Sequence, residues 1–120
     1  MMITCLPELS ERERELCILA ALSSIDSPYP RFAHKMIARE LGLTPGAIQA
    51  AMEGTPDSTL PDIEAAMYRL ARVLAESRGP IADHDFQTAL NHCDRKKIFA
   101  VVHMVVLDIY MALLLSLIHI

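Results

Sequence analysis

The sequence predicts an all-α protein, a helical bundle of about six helices in a single domain spanning residues 1–120. Apolar residues recur at the spacing of a helix face, and no alternating pattern predicts a strand hairpin. Prolines and glycines divide the chain into short segments, and 120 residues fit one domain. The apolar fraction of 52% and the mean hydropathy of +0.29 are high, although only 5% of the residues are aromatic. This composition predicts packed helices that bury further area by forming a homo-oligomer.

The first helix carries a carboxylate on its apolar face. Ser10 and Glu13 have the spacing of a capping box, which places the helix start there. The predicted helix runs to about Ile25, and one face carries Glu15, Ile18, Leu19 and Leu22. The charged run ERERE at 11–15 is otherwise typical of a solvated first turn with opposed charges.

The second helix carries a histidine on its apolar face. Residues 26–30 contain two prolines and are expected to form a break outside any regular element, because proline lacks an N–H donor. The second helix is predicted from about Arg31, with Gly42 as its stop. Its apolar face carries His34, Ile37, Ala38 and Leu41. Glu15 and His34 are therefore the candidate site, one ionisable group on each of two neighbouring helices.

Four more helices follow from capping and proline signals. Thr44 and Pro45 open a short third helix through about Met52. The fourth begins at Pro61, ends at Gly79–Pro80, and has the apolar stripe Ile63, Met67, Leu70 and Leu74. Asp83 is the expected cap of a short fifth helix, and Asp94 is the expected cap of the last.

The last helix is apolar on nearly every side from residue 98 to residue 120. Lys96 and Lys97 precede it, as they would at the cytoplasmic edge of a membrane span. His103 and Asp108 would be costly in lipid, so a membrane is the less favoured alternative. We expect a central helix that is buried from all sides in a bundle or an oligomer.

Charge and cysteine content narrow the classes of partner. Eleven basic and fifteen acidic residues give a net charge of −4 with no basic stripe, which argues against nucleic acid. Cys5, Cys17 and Cys93 are scattered and odd in number, as in a reducing cytoplasm. His84, His92 and Cys93 lack the spacing of zinc ligands, so no metal is expected.

Two stretches resemble the carboxymuconolactone decarboxylase family, which includes the alkyl hydroperoxidase D-like proteins. They are RERELCILAAL at 12–22 and YPRFAHKMIARELGLTPGAIQAAMEG at 29–54, and a looser resemblance extends over residues 8–114. The resemblance implies an alkyl hydroperoxidase D-like fold and a homo-oligomer, a trimer or hexamer, with its pocket near a subunit interface. Many members have another helix upstream, and LSLIHI at 115–120 reads like a translated sequencing adapter. The hypothesis is that the domain is truncated at both ends and that these six residues are not native.

The candidate site aligns with the family motifs but lacks their cysteine sulfur atoms. In peroxidase members the chemistry depends on a Glu, a Cys-x-x-Cys pair and a His. Glu15 and His34 match the first and last, while Ser27 and Pro30 occupy the cysteine positions. Neither can attack a hydroperoxide as a thiolate does. Another branch has a Tyr-Glu-Trp-x-x-His motif, which Tyr29 and His34 match. Pro30 and Arg31 replace the Glu and Trp of that motif.

The resemblance implies acid–base chemistry on a small lactone or carboxylic acid, with no cofactor or metal. Glu15 and His34 would be catalytic, and Ser27 and Tyr29 would bind substrate at the elbow. Each residue also has an ordinary interpretation. Glu15 could pair with a neighbouring arginine, His34 could bond a backbone carbonyl, and the other two could be a turn serine and a packing tyrosine. Two alternative functions remain: a non-catalytic oligomer that binds a small ligand or partner, and a peroxidase that uses Cys17.

Overall fold

The computed structural model of the protein describes residues 8–25, 28–77 and 81–118. Within these residues the chain forms six α-helices and no strand, so the all-α prediction is confirmed. The helices are α1 (Glu11–Leu22), α2 (Pro28–Glu40), α3 (Pro45–Glu53), α4 (Asp62–Ser77), α5 (Asp83–Leu90) and α6 (Arg95–Ile118).

The centre of the bundle is α1, which packs against α2, α3, α4 and α6. Every residue from Glu15 to Leu22 is buried, because neighbouring helices cover this short helix on all sides. Its interior side chains Leu16, Leu19 and Leu22 are fully enclosed. A helix surrounded in this way holds any ionisable group it carries inside the protein, which sets the environment of Glu15.

The last helix, α6, is only half covered by the rest of the chain. Ile98, Val101, Met104 and Val105 face the core. The opposite side exposes Phe99, Val106, Tyr110, Leu113 and Leu117. The expectation that the bundle buries this helix from all sides is therefore wrong for the single chain. Residues 95–114 are long and apolar enough to cross a membrane by length and composition alone, and 33% of that window is buried.

The elbow between α1 and α2 differs from the expected break. The first helix ends at Leu22 instead of Ile25, where the hydroxyls of Ser23 and Ser24 donate to the carbonyls of Ala20 and Ala21. The second helix already begins at Pro28, which corrects the prediction of a start near Arg31. Prolines fit the first turn because the N–H groups there have no partner within the helix.

Other helix ends follow local signals closely. Gly42 has a left-handed φ of 93° just after α2, and Thr44 caps α3 by accepting from the Ala47 N–H at 3.1 Å. Asp94 accepts from the Lys97 N–H at 2.9 Å, as expected for the start of α6. Asp83 is the first residue of α5, whose cap position is Ala82, so the cap predicted there is wrong. Ile63, predicted to lie on the apolar stripe of α4, is 36% exposed.

Candidate functional site

Glu15 and His34 are in direct contact. The Nδ1 atom of His34 lies 3.1 Å and 3.0 Å from the two carboxylate oxygens of Glu15. The Glu15 side chain is 8% exposed and the His34 side chain 25%. An ionised carboxylate only accepts hydrogen bonds, so Nδ1 carries a hydrogen and Nε2 is the ring nitrogen left for another partner.

Arg31 fixes the helix that carries His34 onto the end of α1. Its Nε donates to the Ile25 carbonyl at 3.1 Å, and its Nη2 donates to the Leu22 carbonyl at 2.9 Å. These bonds satisfy carbonyls that the end of a helix leaves without a partner. Arg31 therefore holds the start of α2 against the end of α1.

An apolar hollow of about 240 Å³ lies beside His34, between α1, α2 and α6. Its volume is below the roughly 300–1,000 Å³ of pockets for drug-sized ligands, so it suits a small molecule. Its apolar walls include Ile18, Leu22, Ala33, Met104 and Leu107. Two ionisable side chains line it, His34 and Asp108, whereas Glu15 contacts His34 from outside the lining. The structure thus brings the predicted pair together, but only His34 faces the hollow.

Asp108 is a site residue that the sequence reasoning did not select. The sequence analysis counted Asp108 only as a cost in lipid, together with His103, which is exposed on α6. The Oδ2 atom of Asp108 is buried and has no hydrogen-bond partner among the residues that the structure describes. The signal that could have found it is spacing, because Asp108 follows the core residues Val101 and Met104 by seven and four positions.

Burial and charge shift the pKa of both groups that line the hollow. Burial raises the pKa of Asp108 to about 6, the positive charge of His34 opposes this rise, and the charge of Glu15 adds to it. For His34, burial by itself lowers the pKa. The hydrogen bond that His34 donates to Glu15 and the charges of Glu15 and Asp108 outweigh burial, so the pKa of His34 is raised. The hollow therefore holds two groups able to exchange protons near neutral pH.

Two predicted substrate-binding residues are not placed by the structure. Ser27 lies outside the described residues. Tyr29 lies in the first turn of α2, but its side chain is also outside what is described. Their roles in binding stay predictions. Pro30, another residue of the elbow, lines the hollow.

The cysteines of the described chain lie in the core. Cys17 is fully buried, and burial is the main cause that raises the pKa of its thiol far above the ordinary value. Cys93 is also buried, and its pKa is raised for the same reason. Because the thiolate is the nucleophile in peroxide reduction, these environments disfavour a peroxidase based on Cys17.

The charged run at 11–15 is solvated only in part: Glu11 is exposed and lies 4.0 Å from Arg14, but Glu13 and Glu15 are buried. Arg12 donates to both carboxylate oxygens of Glu64, from Nε at 3.1 Å and from Nη2 at 3.0 Å. Glu13 accepts from the Lys97 ammonium at 3.2 and 3.1 Å. These partners come from distant helices, and Glu15 pairs with His34 rather than with a neighbouring arginine.

A wider hollow of about 440 Å³ lies between α4 and α5. Arg72, one of the cationic side chains that line it, donates to the Ser23 hydroxyl at 2.7 Å and to Glu76 at 3.1 Å.

Over residues 8–25, 28–77 and 81–118, no group of three or more His, Cys, Asp or Glu side chains is arranged to hold a metal ion.

Comparisons with family models, with curated proteins and with solved structures find no match to this chain.

Proposed function

We propose that the chain is a cytoplasmic member of the carboxymuconolactone decarboxylase family, with an alkyl hydroperoxidase D-like fold, that performs acid–base chemistry on a small lactone or carboxylic acid. The reaction class is decarboxylation or a related lyase or isomerase step. One observation carries the proposal: Glu15 holds Nδ1 of His34 at 3.0 Å while His34 lines an apolar hollow.

In this proposal Glu15 and His34 act as one unit. Glu15 accepts the Nδ1–H bond, which fixes the ring orientation and favours the protonated ring, so Glu15 is a positioning residue. His34 then offers Nε2–H to a carbonyl oxygen of the ligand. When a carboxyl group leaves a carbon conjugated to that carbonyl, negative charge develops on the oxygen and the Nε2–H stabilises it. This chemistry uses the chain's own side chains and calls for no cofactor or metal.

The alternative is a non-catalytic oligomer that binds a small ligand or a partner in the same hollow. Arg31 favours it, because that residue occupies a motif position and is engaged with the carbonyls of α1. The two functions differ in the behaviour of His34. A catalytic site requires His34 to titrate and to respond to ligand, whereas a purely structural histidine stays silent to both.

The proposed homo-oligomer, a trimer or hexamer, would cover the exposed side of α6. That side presents Val106, Tyr110 and Leu113, each more than half exposed. A double variant with Val106→Lys and Leu113→Lys should dissociate the oligomer, which light scattering measures. Gln49→Lys, at an exposed position of α3, should leave the oligomer intact. A wild-type monomer that is soluble without detergent would contradict the oligomer, and a need for detergent would favour the membrane alternative.

Activity measurements test the catalytic proposal. Small γ-lactone carboxylic acids would be screened for release of CO₂, and the best substrate would be used with variants. Glu15→Gln and His34→Gln should each lower turnover by about 100-fold or more, the typical contribution of acid–base groups. Glu11→Gln, an exposed glutamate of the same helix, is the control and should keep full activity. Full activity in both site variants would show that the chemistry lies elsewhere.

A further inference from the structure

A carboxylate ligand in the hollow would add a second negative charge close to Asp108. Glu15 from α1 and His34 from α2 are hydrogen-bonded to each other, whereas the buried Oδ2 of the α6 carboxylate Asp108 has no hydrogen-bond partner among the described residues. A ligand carboxylate in the hollow would lie beside the ionised Asp108. In an apolar cavity two neighbouring carboxylates repel strongly, and one of them is expected to take up a proton.

We propose that Asp108 takes up a proton together with a small carboxylate ligand and, during turnover, donates that hydrogen to the carbon that loses its carboxyl group. This inference rests on the proposed function, since it assigns the acid in the same reaction. It makes Asp108 a catalytic residue and makes monocarboxylates with a conjugated carbonyl the ligand class.

The geometry of Asp108 supports this role. Its Oδ2 is buried and lacks a hydrogen-bond partner in the described part of the chain, and its side chain lines the same hollow as His34. A protonated carboxyl group has an O–H donor that a ligand oxygen can accept, so binding would supply the missing partner. The raised pKa of about 6 means that this proton is available close to neutral pH.

The proposed step balances in atoms and charge. The bond between the substrate carbon and its carboxylate breaks, CO₂ leaves, and the electron pair moves into the conjugated carbonyl to form an enolate that accepts the His34 Nε2–H bond. The enolate pair then forms a C–H bond with the hydrogen of Asp108, which becomes a carboxylate. The next ligand enters with a proton from solvent, so one carboxylate and one proton give one C–H product and CO₂.

Calorimetry can count the proton directly. The probe is 2-oxo-2H-pyran-5-carboxylate, a planar monocarboxylate with a conjugated lactone carbonyl, and the neutral control is the corresponding carboxamide. Titrating each into the full chain at pH 7.5, in phosphate and in Tris, gives the protons taken up per ligand from the difference in heat. We expect close to one proton for the carboxylate and close to none for the amide. The affinity of the chain for the carboxylate should weaken up to tenfold per pH unit above pH 6.

Variants assign the proton to a residue. Asp108→Asn should bind the carboxylate with close to no proton uptake and a nearly flat pH dependence, while Asp85→Asn on α5 should behave as wild type. Uptake that persists in Asp108→Asn would assign the proton to another group, such as His34, and overturn the inference. If Asp108→Asn fails to fold, the infrared carbonyl band of ¹³C-labelled aspartate in the wild-type protein reports the same protonation, and its absence with ligand bound overturns the inference.

The same samples separate this inference from the proposed function. NMR signals of the His34 ring should shift when the carboxylate binds. Binding that shifts His34 without proton uptake would remove only the role of Asp108. No shift of His34 at saturating probe would remove the small-carboxylate site and the inference with it.

Discussion

Two groups of buried and half-buried charged side chains lie at α1 within a turn of each other, and they differ in how completely they are paired. In the first group, Glu13 accepts from Lys97 and from the Ser10 N–H, and Arg12 donates to Glu64. In the second group, Glu15 pairs with His34, but Asp108 leaves a buried oxygen without a described partner.

The difference separates stability from function. A buried charge whose hydrogen bonds are all made links helices together, as Glu13 links α1 to α6. A buried carboxylate that faces a cavity without a partner costs stability and is retained most readily where a ligand completes it. The predictions that follow test whether the two groups differ in this way.

The largest expected effect on stability comes from a substitution in the first group, at Glu13. Glu13→Ala removes the capping box and leaves Lys97 without its carboxylate, so the free energy of unfolding should fall by about 3 kcal/mol. Urea unfolding followed by circular dichroism measures this change. Glu11→Ala, on the exposed side of the same turn, should change it by less than about 0.5 kcal/mol. Equal effects of the two variants would mean that the Glu13 pair does not stabilise the fold.

The second largest effect is an increase in stability, and it is expected from a substitution in the second group, at Asp108. The pKa of Asp108 is about 6 in the folded protein against an ordinary value of 3.8, so the native state binds its proton more tightly than the unfolded state does. Asp108 therefore lowers stability progressively as the pH rises from about 4 to 6, and the loss is complete above that range. Asp108→Asn should raise the free energy of unfolding by about 2 kcal/mol at pH 8.

That gain should disappear near pH 4, where the wild-type carboxyl group is also neutral. Urea unfolding at both pH values provides the test, with Asp85→Asn, at a half-buried position of α5, as the control. A variant that is destabilised at pH 8 would show that Asp108 has a stabilising partner after all.

The smallest effect concerns the titration of His34. Glu15→Gln removes the negative charge that helps to raise the pKa of His34 and leaves a neutral amide oxygen as the weaker acceptor, so the pKa of His34 should fall. The pKa of His34 is higher in the folded state than its unfolded value of 6.5, so protonated His34 stabilises the fold at pH values below 6.5. This stabilisation is lost as the pH rises through the pKa that His34 has in the folded state. Ring signals in NMR measure the titration directly, and Glu11→Gln should leave it unchanged. An unchanged pKa in Glu15→Gln would break the proposed coupling.

Local signals in the sequence predicted most helix starts but not the surroundings of the last helix. The caps at Ser10, Thr44 and Asp94 depend on residues three positions apart, which the sequence displays directly. The start of α2 was predicted too late because Pro28 and Pro30 were interpreted as a break. Proline ends a helix when it lies in the interior, but it fits the first turn, where α2 has both of them. The exposed side of α6 has an apolar pattern like that of its buried side, so pattern alone could not tell which side the chain covers.

The sequence by itself determined the all-α class and placed Glu15 and His34 on apolar helix faces, because periodicity and capping act within a few residues. Only the tertiary structure decided which partner each charge in the 11–15 run would have, and only it brought Asp108 to the hollow beside His34. Those contacts join residues far apart in the chain, and helix packing sets them rather than any local spacing.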